Sequence, residues 1–178
     1  TNSTIEYSGT YGLRLINSSG TYDSNTFRYH NLSISAAGVK IETGNPVISN
    51  NTFSNNYYGL SSAAGTSYGY SVTGNTFSAQ TSYHITAING FPTTSGNTAT
   101  SSGINIQGSM GQDFTLSSDL PYVIATTLTV QSGKTLTVPA GAILKFTSDG
   151  ALTVNGRISV NGTSGSKVQV KKRESRQV

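Results

Sequence analysis

Asn51-Thr52-Phe53 is one of four copies of a step that recurs upstream as Asn25-Thr26-Phe27 and downstream as Asn75-Thr76-Phe77 and Asn97-Thr98-Ala99. The Asn-to-Asn intervals are 26, 24 and 22 residues. A period in that range marks a solenoid, in which every repeat is too small to bury its own apolar face and stacking supplies a shared core. Taking the apolar residue after Thr as an anchor extends the frame backwards. Ile5, Phe27, Phe53, Phe77 and Ala99 then occupy one position. Tyr22, Ile48, Val72 and Thr94, three residues before each Asn, form a second recurrent position. A further strand, centred on Leu13, Ile34, Leu60, Ile85 and Ile106, is expected seven or eight residues past each anchor. Short alternating runs between Gly/Asn/Ser turns, without helical periodicity or hairpin dipeptides, favour parallel coils over a meander.

Asn25, Asn51, Asn75 and Asn97 have a structural reason to recur. A coil corner needs the left-handed backbone region, which Asn and Gly tolerate best. Stacked Asn side chains also bond the backbone of neighbouring coils. The four are therefore expected to form an internal ladder rather than a ligand site.

From Thr126 the repeat changes its residues but keeps its interval. Leu128-Thr129-Val130, Leu136-Thr137-Val138 and Ile143-Leu144-Lys145-Phe146 are followed by Leu152-Thr153-Val154, Ile158-Ser159-Val160 and Val168-Gln169-Val170. Ser132-Gly133, Ala140-Gly141, Asp149-Gly150, Asn155-Gly156 and Asn161-Gly162 supply the turns. Residues 107–125 fit neither pattern and are expected to be a connector. The expected organisation is thus five coils in 1–106, a connector at 107–125, two coils in 126–170 and a basic tail at 171–178.

The stretch Pro121-Tyr122-Val123-Ile124, continuing through Leu128 to Gly141, Lys145-Phe146 and Leu152 to Gly162-Thr163, resembles an opening segment of large bacterial surface and secreted right-handed parallel β-helix proteins. The Asn-Thr-Phe coils resemble the same pectin-lyase-like superfamily. The resemblance implies an all-β, right-handed single-stranded parallel β-helix of about seven coils of 22–26 residues, in an extracellular or cell-surface bacterial protein. It leaves function open, because that fold carries lyases, hydrolases, adhesins and phage spikes. Such segments normally continue into further coils, whereas Val168-Gln169-Val170 here runs into Lys171-Lys172-Arg173-Glu174. Truncation is expected there.

Composition narrows the field. Only 10% of residues are charged, 34% are hydrophobic and none is Cys, so there is no disulfide framework and no thiolate metal site. The formal net charge is +4. Lys171, Lys172, Arg173 and Arg176 against Glu174 account for most of it. No basic stripe follows the repeats, so nucleic-acid binding is not expected. No apolar run reaches the roughly 20 residues that span a bilayer.

Catalysis finds no footing. The seven acids (Glu6, Asp23, Glu42, Asp113, Asp119, Asp149, Glu174) scatter in the repeat frame, which provides neither a Ca²⁺ cluster nor facing carboxylates for glycoside hydrolysis. No metal or other cofactor is expected. Glu6 and Arg28 share a position one coil apart and are read as a cross-coil ion pair. His30 and His84 lack a triad or metal set. Two Thr-x-Thr pairs, Thr127/Thr129 and Thr135/Thr137, resemble an ice-binding array but lapse at Ala151 and Arg157.

Tyrosine is the enriched type, with ten residues. Tyr7 and Tyr29 share a repeat position, Tyr57, Tyr58 and Tyr83 flank the second strand, and Tyr68 and Tyr70 sit at the next corner. Core capping and edge shielding is the plainer account. The functional account is a sugar-stacking platform, for which Tyr29, Tyr57, Tyr58 and Tyr83 are the candidates. The leading expectation is a noncatalytic structural or binding segment contacting polysaccharide, with end-to-end or edge self-association through uncapped coils. The alternative is a fragment of a polysaccharide lyase or hydrolase whose catalytic coils lie elsewhere.

Overall fold

A computed structural model describes residues 1–62, 69–100 and 102–173. Among them there is no helix, and every strand pairing is parallel, in a β-solenoid of about seven turns. The N-terminal coils have three faces. The first stacks β1 (Thr4–Glu6), β4 (Thr26–Arg28), β7 (Thr52–Ser54), β10 (Thr76–Ser78) and β13 (Thr98–Ala99). The third stacks β3 (Thr21–Asp23), β6 (Val47–Ser49), β9 (Ser71–Thr73) and β12 (Thr93–Ser95). Between them β2 (Tyr11–Leu15), β5 (Ala37–Ile41), β8 (Tyr58–Ser62), β11 (Ile85–Ile88) and β14 (Ile104–Met110) begin the long sheet.

The register follows the expected anchors. Ile5 pairs with Phe27, Phe27 with Phe53, Phe53 with Phe77 and Phe77 with Ala99. Tyr22, Ile48, Val72 and Thr94 form the second column. Strands about 4.8 Å apart place like side chains at stacking distance. Phe27, Phe53 and Phe77 accordingly form a fully buried stack with centroids 5.2 and 4.9 Å apart. Opposite the stack the second strand carries Gly38 and Gly59. A Cβ at either would lie under 3 Å from a phenylalanine of the stack, so these positions require glycine.

The second-strand column needs one correction. Val39, not Ile34, pairs with Leu13 and Leu60, and Ile104 rather than Ile106 pairs with Ile85. Residues 31–36 are an insertion in the longest repeat, closed by Ala36 N–H donating to Ser33 O at 3.0 Å. Ile34 is on the insertion, 80% exposed. Its spacing fits the frame only if that insertion is ignored.

Residues 107–125 are not a plain connector. They contain the second half of β14, β15 (Phe114–Thr115) and β16 (Tyr122–Ile124). β14 is long because it serves two faces, pairing with β11 and β16 at one end and with β17 (Thr127–Val130) at the other. The first and third faces stop there and two new ones begin. β17 stacks with β20 (Ala151–Val154), and β15 stacks with β18 (Thr135–Pro139) and β21 (Arg157–Asn161). Only the long sheet continues, through β16, β19 (Ile143–Phe146) and β22 (Gln169–Lys172). The change of cross-section is what made this stretch fit neither repeat pattern.

Among the described residues nothing covers the last coil. Leu128, Val130, Leu136, Val138 and Leu144 are buried. Val154, Ile158, Val160 and Val170, stacked on four of them, remain 38% to 66% exposed.

Candidate functional site

The corner between the first face and the long sheet gathers the unusual side chains. The residue two past each anchor takes the left-handed backbone region, with φ of 58°, 62°, 53° and 53° at Tyr7, Tyr29, Asn55 and Ala79. The next residue turns inward. There Ser8, His30, Asn56 and Gln80 form a ladder that sequence reasoning missed. His30 N–H donates to Asn56 Oδ1 at 3.1 Å, and Asn56 N–H donates to Gln80 Oε1 at 3.0 Å. Asn56 Nδ2 and Gln80 Nε2 donate to Phe27 O and Phe53 O. The signal was a polar residue three past every anchor, hidden because its type changes from coil to coil.

The expected asparagine ladder is present at the opposite corner. Backbone N–H groups of Asn25, Asn51 and Asn75 donate to Oδ1 of the next asparagine at 2.8, 2.9 and 3.0 Å. Nδ2 of Asn51, Asn75 and Asn97 donates to Tyr22 O, Ile48 O and Val72 O. The left-handed residue is not the ladder asparagine, as the corner argument expected, but its predecessor: Ser24, Asn50, Gly74 and Gly96 have φ of 57°, 52°, 64° and 63°. One residue turns the chain and the next bonds across coils, a division of labour that a single Asn cannot perform.

The ladder ends on a carboxylate. Asp119, 22 residues after Asn97, accepts from Asn97 N–H and Nδ2 at 3.2 and 2.8 Å. Burial opposes its ionisation, but hydrogen bonds from Ser117, Asn97 and Thr94 outweigh that and hold its carboxyl below the usual range. Asp119 caps the asparagine column.

Outside these ladders the tyrosines line the same first corner. Tyr7 and Tyr29 stack at 4.8 Å with an 11° interplanar angle, and Arg28 lies 5.5 Å from the Tyr29 ring centre. Tyr57 and Tyr58 meet edge to face at 4.7 Å, and both are partly exposed. Burial, with the neighbouring Tyr57 ring, raises the Tyr58 hydroxyl's pKa. Tyr83 differs from its companions. It is buried, Arg173 donates to its hydroxyl, and the Arg173 guanidinium sits 4.4 Å from its ring centre. Tyr70 is fully buried and donates to Ser62 Oγ at 3.0 Å. Tyr68 lies outside the described residues, as do residues 174–178 of the basic tail. Leu32 and Ile34 project from the insertion on this corner, both almost fully exposed.

Arg28 Nε meets Glu6 Oε2 at 2.5 Å across the first two coils, partly exposed. His84 is buried beside Phe77, at 5.6 Å between ring centres. Thr127 and Thr135 stack on Ala151 and Arg157, so the threonine array breaks where expected. Among the described residues no three of His, Cys, Asp and Glu converge as metal ligands, and no helix is long and apolar enough to cross a membrane. Compared with protein families, with characterised proteins and with solved structures, the chain matches none of them significantly.

Proposed function

We propose that this chain is a noncatalytic structural and binding segment of a bacterial surface or secreted protein, a stalk that meets polysaccharide at its tyrosine-bearing corner. The observation that carries the reading is the Tyr57–Tyr58 pair. Two partly exposed rings held perpendicular at 4.7 Å offer one apolar face and one hydroxyl-bearing edge, the combination that suits a sugar ring. The Tyr7–Tyr29 stack, with Tyr7 68% exposed, extends the aromatic surface along the same corner. Tyr83, buried and bound to Arg173, is left out of the contact surface. The resemblance of residues 121–163 to segments of pectin-lyase-like surface proteins supports the extracellular setting.

End-to-end association of copies belongs to the same reading. The edges of β20, β21 and β22, unpaired among the described residues, with Val154, Ile158, Val160 and Val170, are the contact. Sedimentation should show association that weakens on Val160→Lys. A monodisperse wild-type monomer with the last coil protected from hydrogen exchange contradicts it.

The binding claim is tested on a polysaccharide array. Retention that falls at least tenfold in Tyr57→Ala and Tyr58→Ala, with unfolding unchanged, supports the platform. Equal retention by all three proteins removes it. Release of unsaturated or reducing sugars from pectin or alginate would favour the lyase or hydrolase fragment instead.

A further inference from the structure

His30 is the one imidazole in a ladder otherwise made of Ser8, Asn56 and Gln80, and its position makes it a tie between the first two coils. Its side chain is fully buried. Nδ1 faces two donors of the first coil, Ser8 N–H at 3.1 Å and the Ser8 hydroxyl at 2.8 Å. Nε2 lies 3.0 Å from Ile5 O. A backbone N–H can only donate, so Nδ1 is the unprotonated nitrogen and Nε2 carries the hydrogen that Ile5 O accepts. Both ring nitrogens therefore bind the first coil, while the His30 N–H binds the third through Asn56.

We propose that His30 is a proton-operated latch between the coil of residues 4–23 and the rest of the solenoid. In the neutral form it ties Ser8 and Ile5 down. Protonation places a hydrogen on Nδ1. The Ser8 hydroxyl can reverse and accept it, but the Ser8 N–H loses its acceptor and meets a like-signed group inside the core. The charged ring is fully buried while the coil is closed, so it is accommodated by parting the coils. Parting exposes the edges of β4 and β5 with Phe27, Val39 and Ile41, all fully buried in the closed form.

The surroundings do not rescue the imidazolium. Glu6 of β1 favours it, but that carboxylate is already paired with the Arg28 guanidinium of β4. β2 brings Gly12 against the ring, and the third coil brings the Asn56 amide. Burial is the largest influence and lowers the His30 pKa below its ordinary value of 6.5, against the smaller opposing effect of the Ile5 carbonyl. The sign follows. With the closed-state pKa below the open-state value, closure is fully stabilised above about pH 6.5 and is lost as pH falls towards the closed-state pKa.

The test is amide hydrogen exchange of the full chain between pH 7.5 and 5, read as protection factors so that the intrinsic rate's own pH dependence is removed. Protection at residues 5–15 should fall with pH by up to tenfold per unit below about 6.5, while residues 85–88 and 104–106 stay protected. His30→Asn supplies the amide found in the next coil and should make protection at residues 5–15 independent of pH. His30→Gln is the second variant, should the first fail to fold. NMR titration of wild-type His30 gives a readout free of any substitution. A pKa at or above 6.5, a protonated Nδ1 in the neutral ring, or flat wild-type protection would each overturn the latch.

Discussion

Residues 4–100 and residues 127–172 stack strands at the same interval, yet they keep their coils in register by different means. In the first region two corners are buried as hydrogen-bonded columns. Asn25 to Asp119 run along one, Ser8 to Gln80 along the other, and the Phe27–Phe53–Phe77 stack lies between. In the second, the described residues show no side-chain ladder. Leu128, Val130, Leu136, Val138 and Leu144 are stacked aliphatics, and the corners are backbone turns such as Lys134 N–H to Gln131 O at 3.1 Å and Ala142 N–H to Pro139 O at 3.2 Å. The lesson is one of error tolerance. A hydrogen-bonded column loses several partners when one member changes, whereas an aliphatic stack loses contact area in proportion.

Substitutions separate the two modes. Asn75→Leu orphans Asn51 N–H and removes one bond each from Asn51 Nδ2, which keeps Tyr22 O, and from Ile48 O. At about 1–3 kcal/mol for the unsatisfied buried group and about 0.5–1.5 kcal/mol for each lost bond, destabilisation on the order of 4 kcal/mol is expected in denaturant unfolding. Leu136→Met, an apolar exchange of similar volume in the second region, should cost under about 1.5 kcal/mol. Equal losses at the two sites would erase the distinction.

A smaller effect concerns acid. The Asp119 carboxyl is held below its ordinary range, so its contribution is present above about pH 4 and lost as pH falls through the folded-state pKa. The group is only partly buried, which limits the contribution to under about 1 kcal/mol. Asp119→Asn keeps an acceptor for Asn97 and should flatten that part of the pH–stability curve below pH 4. An unchanged acid limb in the variant would show that the cap is not the titrating group.

The smallest expected effect reports backbone geometry. Ala79 sits at φ of 53°, where a Cβ is strained by about 1–2 kcal/mol. Ala79→Gly relieves that strain and gives up about 0.4–1 kcal/mol of unfolded-state entropy. A net gain of about 0.5 kcal/mol in thermal unfolding is expected. Ala140 has no such backbone, and Ala140→Gly should destabilise by about 0.4–1 kcal/mol.

The two regions were also unequally legible. Phenylalanine and asparagine recur by type in the first region, so its anchors and its asparagine ladder could be read from spacing alone. The second ladder used Ser, His, Asn and Gln for one task, and a search for repeated letters passes over it. Asp119 escaped for the same reason, although it falls one period after Asn97. Ile34 misled because an insertion placed an exposed residue at a core interval. The strands of the second region were read to within a few residues, since Gly turns bracket each aliphatic run. The passage between regions was opaque because β14 changes face within one strand, and neither period survives that change. Tyrosine enrichment was visible, but the burial of Tyr83 and the perpendicular Tyr57–Tyr58 pair depend on neighbours that repeat spacing does not specify.

Buried side-chain amides, and not backbone strands alone, hold the first region together. Side-chain amide hydrogen exchange measures this directly by NMR. The Nδ2 protons of Asn51 and Asn75 should exchange as slowly as the core backbone amides of β7 and β10, while those of Asn155, in an exposed turn of the second region, exchange at the free-amide rate. Exchange of Asn51 and Asn75 at the rate of Asn155 would contradict the account.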